Sequence, residues 1–210
     1  MKVYICILSQ QVLQNILPLR RMEVDVVCLA ASEEMMRGGK HKEFAKLLLD
    51  LDLVKSADDI IVLPPMPSSN FAGMCEWAQT QIQSVHQDVP NVKICLNATG
   101  GTKLMSLAFI EACRDKELEN KVDVIYCDTI NDQLETVYPA FYTQPLAPDL
   151  LSSEDILKAH SIRVKSAASD RPEWQNKVQE RADLTRHLGQ HMDDRLGRFI
   201  GALNGALSSS

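Results

Sequence analysis

The sequence predicts an α/β fold: a mainly parallel sheet with helices on both faces, followed by a small helical C-terminal segment. Three observations point to it. The first 140 residues alternate short β-branched runs with stretches of helical spacing, the order that builds strand–helix–strand units. Most of the strand-like runs lack polar alternation, so the sheet they form should be covered on both faces. A chain of 210 residues with 45% hydrophobic content is large enough for a real core.

VYICIL (3 to 8) is the first expected strand. Ser9 is placed to cap the helix that follows, in which Val12, Leu13, Ile16 and Leu17 recur at helical spacing before Pro18 disturbs the pattern. DVVCLAA (25 to 31) is the second strand. Ser32, Glu33 and Glu34 open the next helix, which has a weak point at Gly38 and Gly39 before Phe44, Leu47 and Leu48. IIVLP (60 to 64) is the third strand, closed by PPMPSSN, after which Phe71, Met74, Trp77, Ile82 and Val85 mark a long helix. Trp77 on that stripe reads as core and not as a stacking surface. VKICLN (92 to 97) is the fourth strand and LMSLAFIEACR its helix. VDVIYCD (122 to 128) and QLETVYP (133 to 139) read as a fifth strand and its antiparallel return.

The prolines and serines of FYTQPLAPDLLSS mark a boundary, with one domain over residues 1–145 and a helical linker or dimerisation segment over 146–210. In that segment SSEDILKAH begins a short helix capped by Ser152 or Ser153. Val178, Leu184, Leu188, Met192, Leu196, Phe199, Ile200 and Leu203 then keep one helical stripe.

The formal net charge of −6 argues against a broad basic surface for duplex nucleic acid, whose nonspecific binding rests on phosphate neutralisation. From residue 151 onward nine basic residues face eight acidic ones, so the acidity belongs to the sheet domain. The six cysteines form no CxxC pair, and four of them fall in strand-like runs. They read as small buried hydrophobes of a reducing compartment. The six-residue apolar stretch at the start is too short for a membrane span or signal peptide, and a cytoplasmic location is expected. His187 and His191 lie four apart without a third ligand or the glutamate of HExxH, so no metal is expected, and no cofactor.

The chemistry concentrates in CLNATGGTKLMS (95 to 106), where the fourth strand turns into a helix. In open parallel sheets ligands bind outside the carboxyl ends of strands, where helix N-termini present free N–H groups. Gly100 and Gly101 permit close backbone approach, Thr99 and Thr102 offer hydroxyls, and Lys103 adds a positive charge at the helix start. A lysine there opposes the helix dipole by roughly 0.3–1 kcal/mol, which suggests an anionic counterpart. The competing reading is a capped strand-to-helix turn with a solvated lysine. The order Gly-Thr-Lys fits neither a Walker A loop nor GxGxxG, which sets aside ATP hydrolysis and dinucleotide redox chemistry. Ser9 and Gln10 join the same edge if the first and fourth strands are neighbours.

Together, ILSQQ (7 to 11) and the string Asn97, Thr99, Gly100, Gly101, Thr102, Lys103 and Met105 resemble the CRISPR-associated Rossmann-fold (CARF) sensor domain, in the branch that precedes a nuclease. The resemblance covers roughly residues 1–145 and implies a Rossmann-like homodimer that binds a cyclic oligoadenylate second messenger of type III CRISPR signalling across its two-fold axis. Cyclic tetra-adenylate is the expected ring. The implied ligand contacts are Ser9, Gln10, Asn97, Thr99, Gly100, Gly101, Thr102 and Lys103, with Pro65, Met66 and Met105 as candidate surfaces for the bases. After residue 150 there is no strand-borne Asp followed by Glu-x-Lys, so any effector domain would lie in a longer parent chain.

Two other readings follow from the same resemblance. A metal-independent ring nuclease would use Ser9 to orient a 2′-hydroxyl and Lys103 to neutralise the developing charge, making these two the catalytic residues. A ligand-controlled DNA-binding regulator would work through residues 151–210, although their near-neutral charge gives little phosphate affinity.

Overall fold

A computed structural model of the chain describes residues 1–88, 92–115, 118, 121–147, 150–162, 176, 177 and 182. Met1–Arg163 is one compact unit and Val164–Ser210 a second. The apolar stripe expected from Val178 to Leu203, with His187 and His191, lies outside the described residues.

The strands are β1 (Lys2–Ile7), β2 (Val26–Ala30), β3 (Ile60–Val62), β4 (Lys93–Asn97), β5 (Val122–Asp128), β6 (Gln133–Tyr138) and β7 (Tyr142–Pro145). They form one sheet in the order β3-β2-β1-β4-β5-β6-β7. β1 to β5 pair in parallel, while β6 and β7 return antiparallel. The helices are α1 (Leu13–Arg21), α2 (Glu33–Arg37), α3 (Lys40–Asp50), α4 (Phe71–Asp88), α5 (Lys103–Cys113) and α6 (Ser153–Ala159).

Alternation along β1 divides the core. Val3, Ile5 and Ile7 face one layer with Met74, Ala78 and Ile82 of α4 and Met105, Ala108 and Phe109 of α5. Tyr4, Cys6 and Leu8 face the other with Ile16 and Leu19 of α1, Phe44, Leu47 and Leu48 of α3, and Ala159 of α6. Both faces of β1 are buried, which is why its sequence reads as a continuous apolar run. Trp77 is partly buried and packs edge-on against the core residue Phe109, with ring centroids 5.8 Å apart.

Several local features depart from expectation. Ser9 does not cap α1; the N-cap is Val12, and the Ser9 hydroxyl folds back on Gln11. Pro18 does not end α1, which runs on to Arg21, for a reason that the site makes clear. The Gly38-Gly39 weak point is a full break: Gly39 takes φ +73° and separates α2 from α3. β7 lies at the end of the expected sheet domain, in the proline-containing stretch that marks its boundary, where the sequence predicts no strand; a proline is tolerated there because β7 is an edge strand. On α6, Ser152 is the N-cap, its hydroxyl accepting from the Asp155 N–H while the Asp155 carboxylate accepts from the Ser152 N–H. α6 belongs to the sheet unit, since Leu146 and Ala159 fill the second core layer.

The central strands β1, β2 and β4 are covered on both faces, whereas the edge strand β3 leaves Ile61 and Val62 exposed and β5 also keeps an open side. Tyr126 on β5 is exposed, while Ile125 and Cys127 beside it are buried. No helix among the described residues is long and apolar enough to cross a membrane.

All six cysteines are free, and five are buried. Burial pushes the thiols of Cys28, Cys95 and Cys113 up to about 12 and that of Cys127 to about 11. Cys75 on α4 is the partly exposed one. Labelling the native protein with a disulfide reagent at pH 8 should therefore modify only Cys75 readily, with all six reacting after denaturation. Two or more fast thiols in the native state would contradict this packing.

Candidate functional site

β1 and β4 are neighbours, and the chain leaves them in opposite directions: β1 continues through α1 to β2 on one side, β4 through α5 to β5 on the other. Their carboxyl ends, paired at Cys6 and Asn97, therefore form the switch point of the sheet. The loops after β1 and β4 share this edge, as expected if those strands lie side by side.

Asn97 is wholly buried at the end of β4. Its amide nitrogen donates to the Tyr4 hydroxyl (2.8 Å), the Gln14 carbonyl (2.9 Å) and Asn15 Oδ1 (2.9 Å). Its amide oxygen accepts from the Thr99 N–H (3.0 Å) and the Thr99 hydroxyl (2.6 Å). Thr99 Oγ1 in turn accepts from the Cys127 N–H on β5 at 2.7 Å. Asn15, also wholly buried, donates through Nδ2 to the Ile7 carbonyl at 3.1 Å. The Tyr4 hydroxyl donates to the Asn15 carbonyl at 3.2 Å, and burial holds that phenol well above its ordinary range, so it remains a donor.

This network explains the proline in α1. Residue 18 is the position whose N–H would close the helical bond to the carbonyl of residue 14. Pro18 has no N–H, and the Gln14 carbonyl is instead taken up by Asn97. Asn15 is a site residue that sequence reasoning missed. Its one signal was a small amide amid the apolar spacing of a buried helix.

The two glycines are required by contact with β1. A Cβ on Gly100 would stand 2.0 Å from the Ile7 carbonyl oxygen, and one on Gly101, whose φ is +74°, would stand 2.3 Å from Ile7 Cγ2. Thr102 is the N-cap of α5, its hydroxyl accepting from the Met105 N–H at 3.3 Å, and Ser106 donates to the Gly100 carbonyl at 2.9 Å.

What remains free is mostly backbone. Among the described residues the N–H groups of Gly100, Gly101, Thr102, Lys103 and Leu104 have no protein acceptor. Five successive free donors around a left-handed glycine and a helix start are the kind of backbone arrangement that can hold an anion. Lys103 is exposed, lies in a first turn without an acidic residue, and makes no ion pair among the described residues.

Ser9 is half-buried and its hydroxyl donates to the Gln11 carbonyl at 3.1 Å; Gln10 is exposed. No histidine or carboxylate is hydrogen-bonded to Ser9 among the described residues. Ser9 and Gln10 also line a cleft of about 440 Å³ whose other walls come from α3 and the end of α6. The loop at 97–103 does not line that cleft and lies on an open edge. Met66 and Met105 are buried at 0% and 3% exposure, so neither offers a surface to a base, whereas Pro65 is exposed. No group of three or more metal-ligating side chains occurs among the described residues.

Asn97→Ala should cost about 3–5 kcal/mol in urea unfolding, because it strands several buried polar groups at once. Asn97→Asp should cost more, since a carboxylate cannot donate to the three oxygens it would face. Gly100→Ala should cost about 1–3 kcal/mol through displacement of the loop from Ile7. A loss below about 1 kcal/mol for Asn97→Ala would remove the network from its supporting role.

Among curated protein sequences none matches this chain. Solved structures of similar fold include the following three. Can2 from Sulfobacillus thermosulfidooxidans, in complex with cyclic tetra-adenylate, aligns at TM-score 0.62 and 20% identity over 90% of this chain and 50% of its own. Protein VC1899 from Vibrio cholerae aligns at 0.61 and 12% identity over 75% and 39%. Csm6 from Enterococcus italicus, bound to cyclic hexa-2′-fluoro-hexa-dAMP, aligns at 0.52 and 16% identity over 77% and 38%. The chain thus spans at most half the length of these structures. The family model of the Card1 CARF domain matches residues 3–154, and with its glycine-built loop at the β1/β4 switch point the chain belongs to that family.

Proposed function

We propose that the protein is a sensor in type III CRISPR antiviral signalling that binds a cyclic oligoadenylate, foremost the tetra-adenylate, between two copies related by a two-fold axis. The observation that carries this is the row of five unpartnered N–H groups closed by Lys103. Such a row suits a phosphodiester, whose charge is spread over two acceptor oxygens. The Can2 and Csm6 structures hold cyclic adenine nucleotides, which supports the same ligand class here.

A cyclic tetranucleotide carries several phosphates, and one copy of this chain offers one cradle and one lysine. The cradle lies on an open edge, as expected of half a symmetric site. α5 also supplies a surface for the second copy: Leu104 and Leu107, 49% and 52% exposed, follow Lys103 on a helix that is apolar on its packed side as well. Since relatives of the fold are about twice as long, we place an effector domain in a longer parent chain.

Calorimetric titration with cyclic tri-, tetra- and hexa-adenylate tests the reading. Micromolar or tighter binding of the tetra-adenylate, one ring per two chains, is expected. Absence of binding to any of the three would refute it. Lys103→Ala removes two charge-assisted contacts from the symmetric site, each worth about 1.5–3 kcal/mol, so affinity should fall at least about a hundred-fold. Leu107→Glu should shift the species seen by sedimentation toward the monomer. Chromatography of the ligand after prolonged incubation with excess protein separates sensing from ring cleavage: a sensor returns the ring intact.

A further inference from the structure

The cradle reads charge, and any cyclic oligonucleotide presents phosphates to it. Selection of the base must come from groups around it, and neither Met66 nor Met105 is exposed enough to serve. Another feature of the same edge is the turn between β5 and β6. β5 runs parallel to β4 at the usual spacing of about 4.8 Å and continues past the Asn97–Ile125 pair to Asp128, so both strands deliver their loops to this edge. The Cys127 N–H to Thr99 Oγ1 bond ties the end of β5 directly to the cradle loop.

The turn, Asp128 to Asp132, is braced. Asp128 Oδ1 accepts from the N–H groups of Ile130 (3.0 Å) and Asn131 (3.1 Å), and Oδ2 accepts from Asn131 Nδ2 at 2.7 Å. These bonds, the Asn131 side chain first, hold the Asp128 carboxyl below its ordinary range, so the brace persists at neutral pH. At the tip stands Ile130, 90% exposed, the most exposed large hydrophobic side chain among the described residues. A single exposed isoleucine is ordinary on a protein surface. This one stands on the loop next to the cradle loop, on a braced backbone, with Asp128 and Asp132 on either side of it in the chain.

That combination has a definite chemistry. Asp128 and Asp132 repel phosphate, so the part of a ring that overhangs the turn is a base. Ile130 offers an apolar face to a flat ring. The acidic rim accepts hydrogen bonds and cannot donate them, so it favours a base edge bearing an exocyclic amine, as adenine does, over one bearing a carbonyl oxygen. Resting on the sensor reading above, we propose that the turn Asp128–Asp132 is the base-selecting wing of the site, with Ile130 packed on the purine face and the carboxylate of Asp132 reading its amine.

The test titrates the full chain with cyclic tetra-adenylate and with cyclic tetra-inosinate, which replaces the amine by a carbonyl on the same ring skeleton. Wild type should prefer the adenylate at least about tenfold. Ile130→Ala should weaken both rings about tenfold, without the loss of salt dependence expected of Lys103→Ala. Asp132 has φ +51°, a conformation that asparagine tolerates, so Asp132→Asn keeps the turn while replacing a pure acceptor. It should lower the adenylate-to-inosinate ratio at least threefold, whereas Lys103→Ala should weaken both rings and leave the ratio unchanged. If wild type binds the adenylate but Ile130→Ala and Asp132→Asn alter neither affinity nor ratio, the wing is wrong and the sensor reading stands. If wild type binds neither ring, both fall together.

Discussion

The Asn97 carboxamide sits at the end of β4 with both of its ends committed to protein, and four elements meet on it. Through its nitrogen it holds the Tyr4 hydroxyl of β1 and two groups of α1; through its oxygen it holds Thr99, which reaches β5. A fully buried amide is costly unless all of its groups are paired. Here pairing is achieved only when β1, α1, β4 and β5 stand in their observed positions. Pro18 belongs to the same constraint, because it opens in α1 the carbonyl that Asn97 needs. A polar knot of this kind adds modest net stability but large specificity of arrangement, since any slip of a strand would leave buried donors unpaired.

The knot also divides the labour within the loop. The conspicuous side chains, Asn97, Thr99 and Thr102, hold the loop in place, and the surface left for a ligand is backbone plus Lys103. If the loop binds an anion as proposed, its main-chain N–H donors have no side-chain entropy to lose and are oriented beforehand. Gly100 and Gly101 make this possible by letting the loop lie against Ile7 where any side chain would collide.

Much of this was legible in the sequence. The order of strands and helices followed from period and punctuation, and the parallel core was visible because VYICIL, VVCLA and KICLN lack polar alternation. Which residue types gather at the switch point was also legible, since NATGGTK follows a strand and opens a helix. What could not be read was direction. Asparagine and threonine before a helix suit a ligand as well as they suit the loop itself, and only tertiary contact decides. The same limit hid Asn15, whose partner lies far along the chain, and Met66 and Met105, whose exposure depends on how α4 and α5 close over the sheet. β7 was missed because YTQP carries little strand signal of its own; pairing with β6 makes it a strand.

Charge at the site runs against the charge of the whole. A protein of formal net charge −6 repels polyanions at long range, so in the sensor reading proposed above the attraction to phosphate comes from oriented donors and Lys103 within a few ångströms. Repulsion that is general and attraction that is local favour a small ligand whose phosphates all reach the cradles, and disfavour long nucleic acid, most of whose phosphates would face the acidic surface. In the reading proposed above, the acidic turn that follows β5 sharpens the same contrast beside the loop that follows β4. The fold supplies that adjacency without further design, because parallel neighbours deliver their loops to one edge, and Thr99 locks the two loops together at a single hydrogen bond.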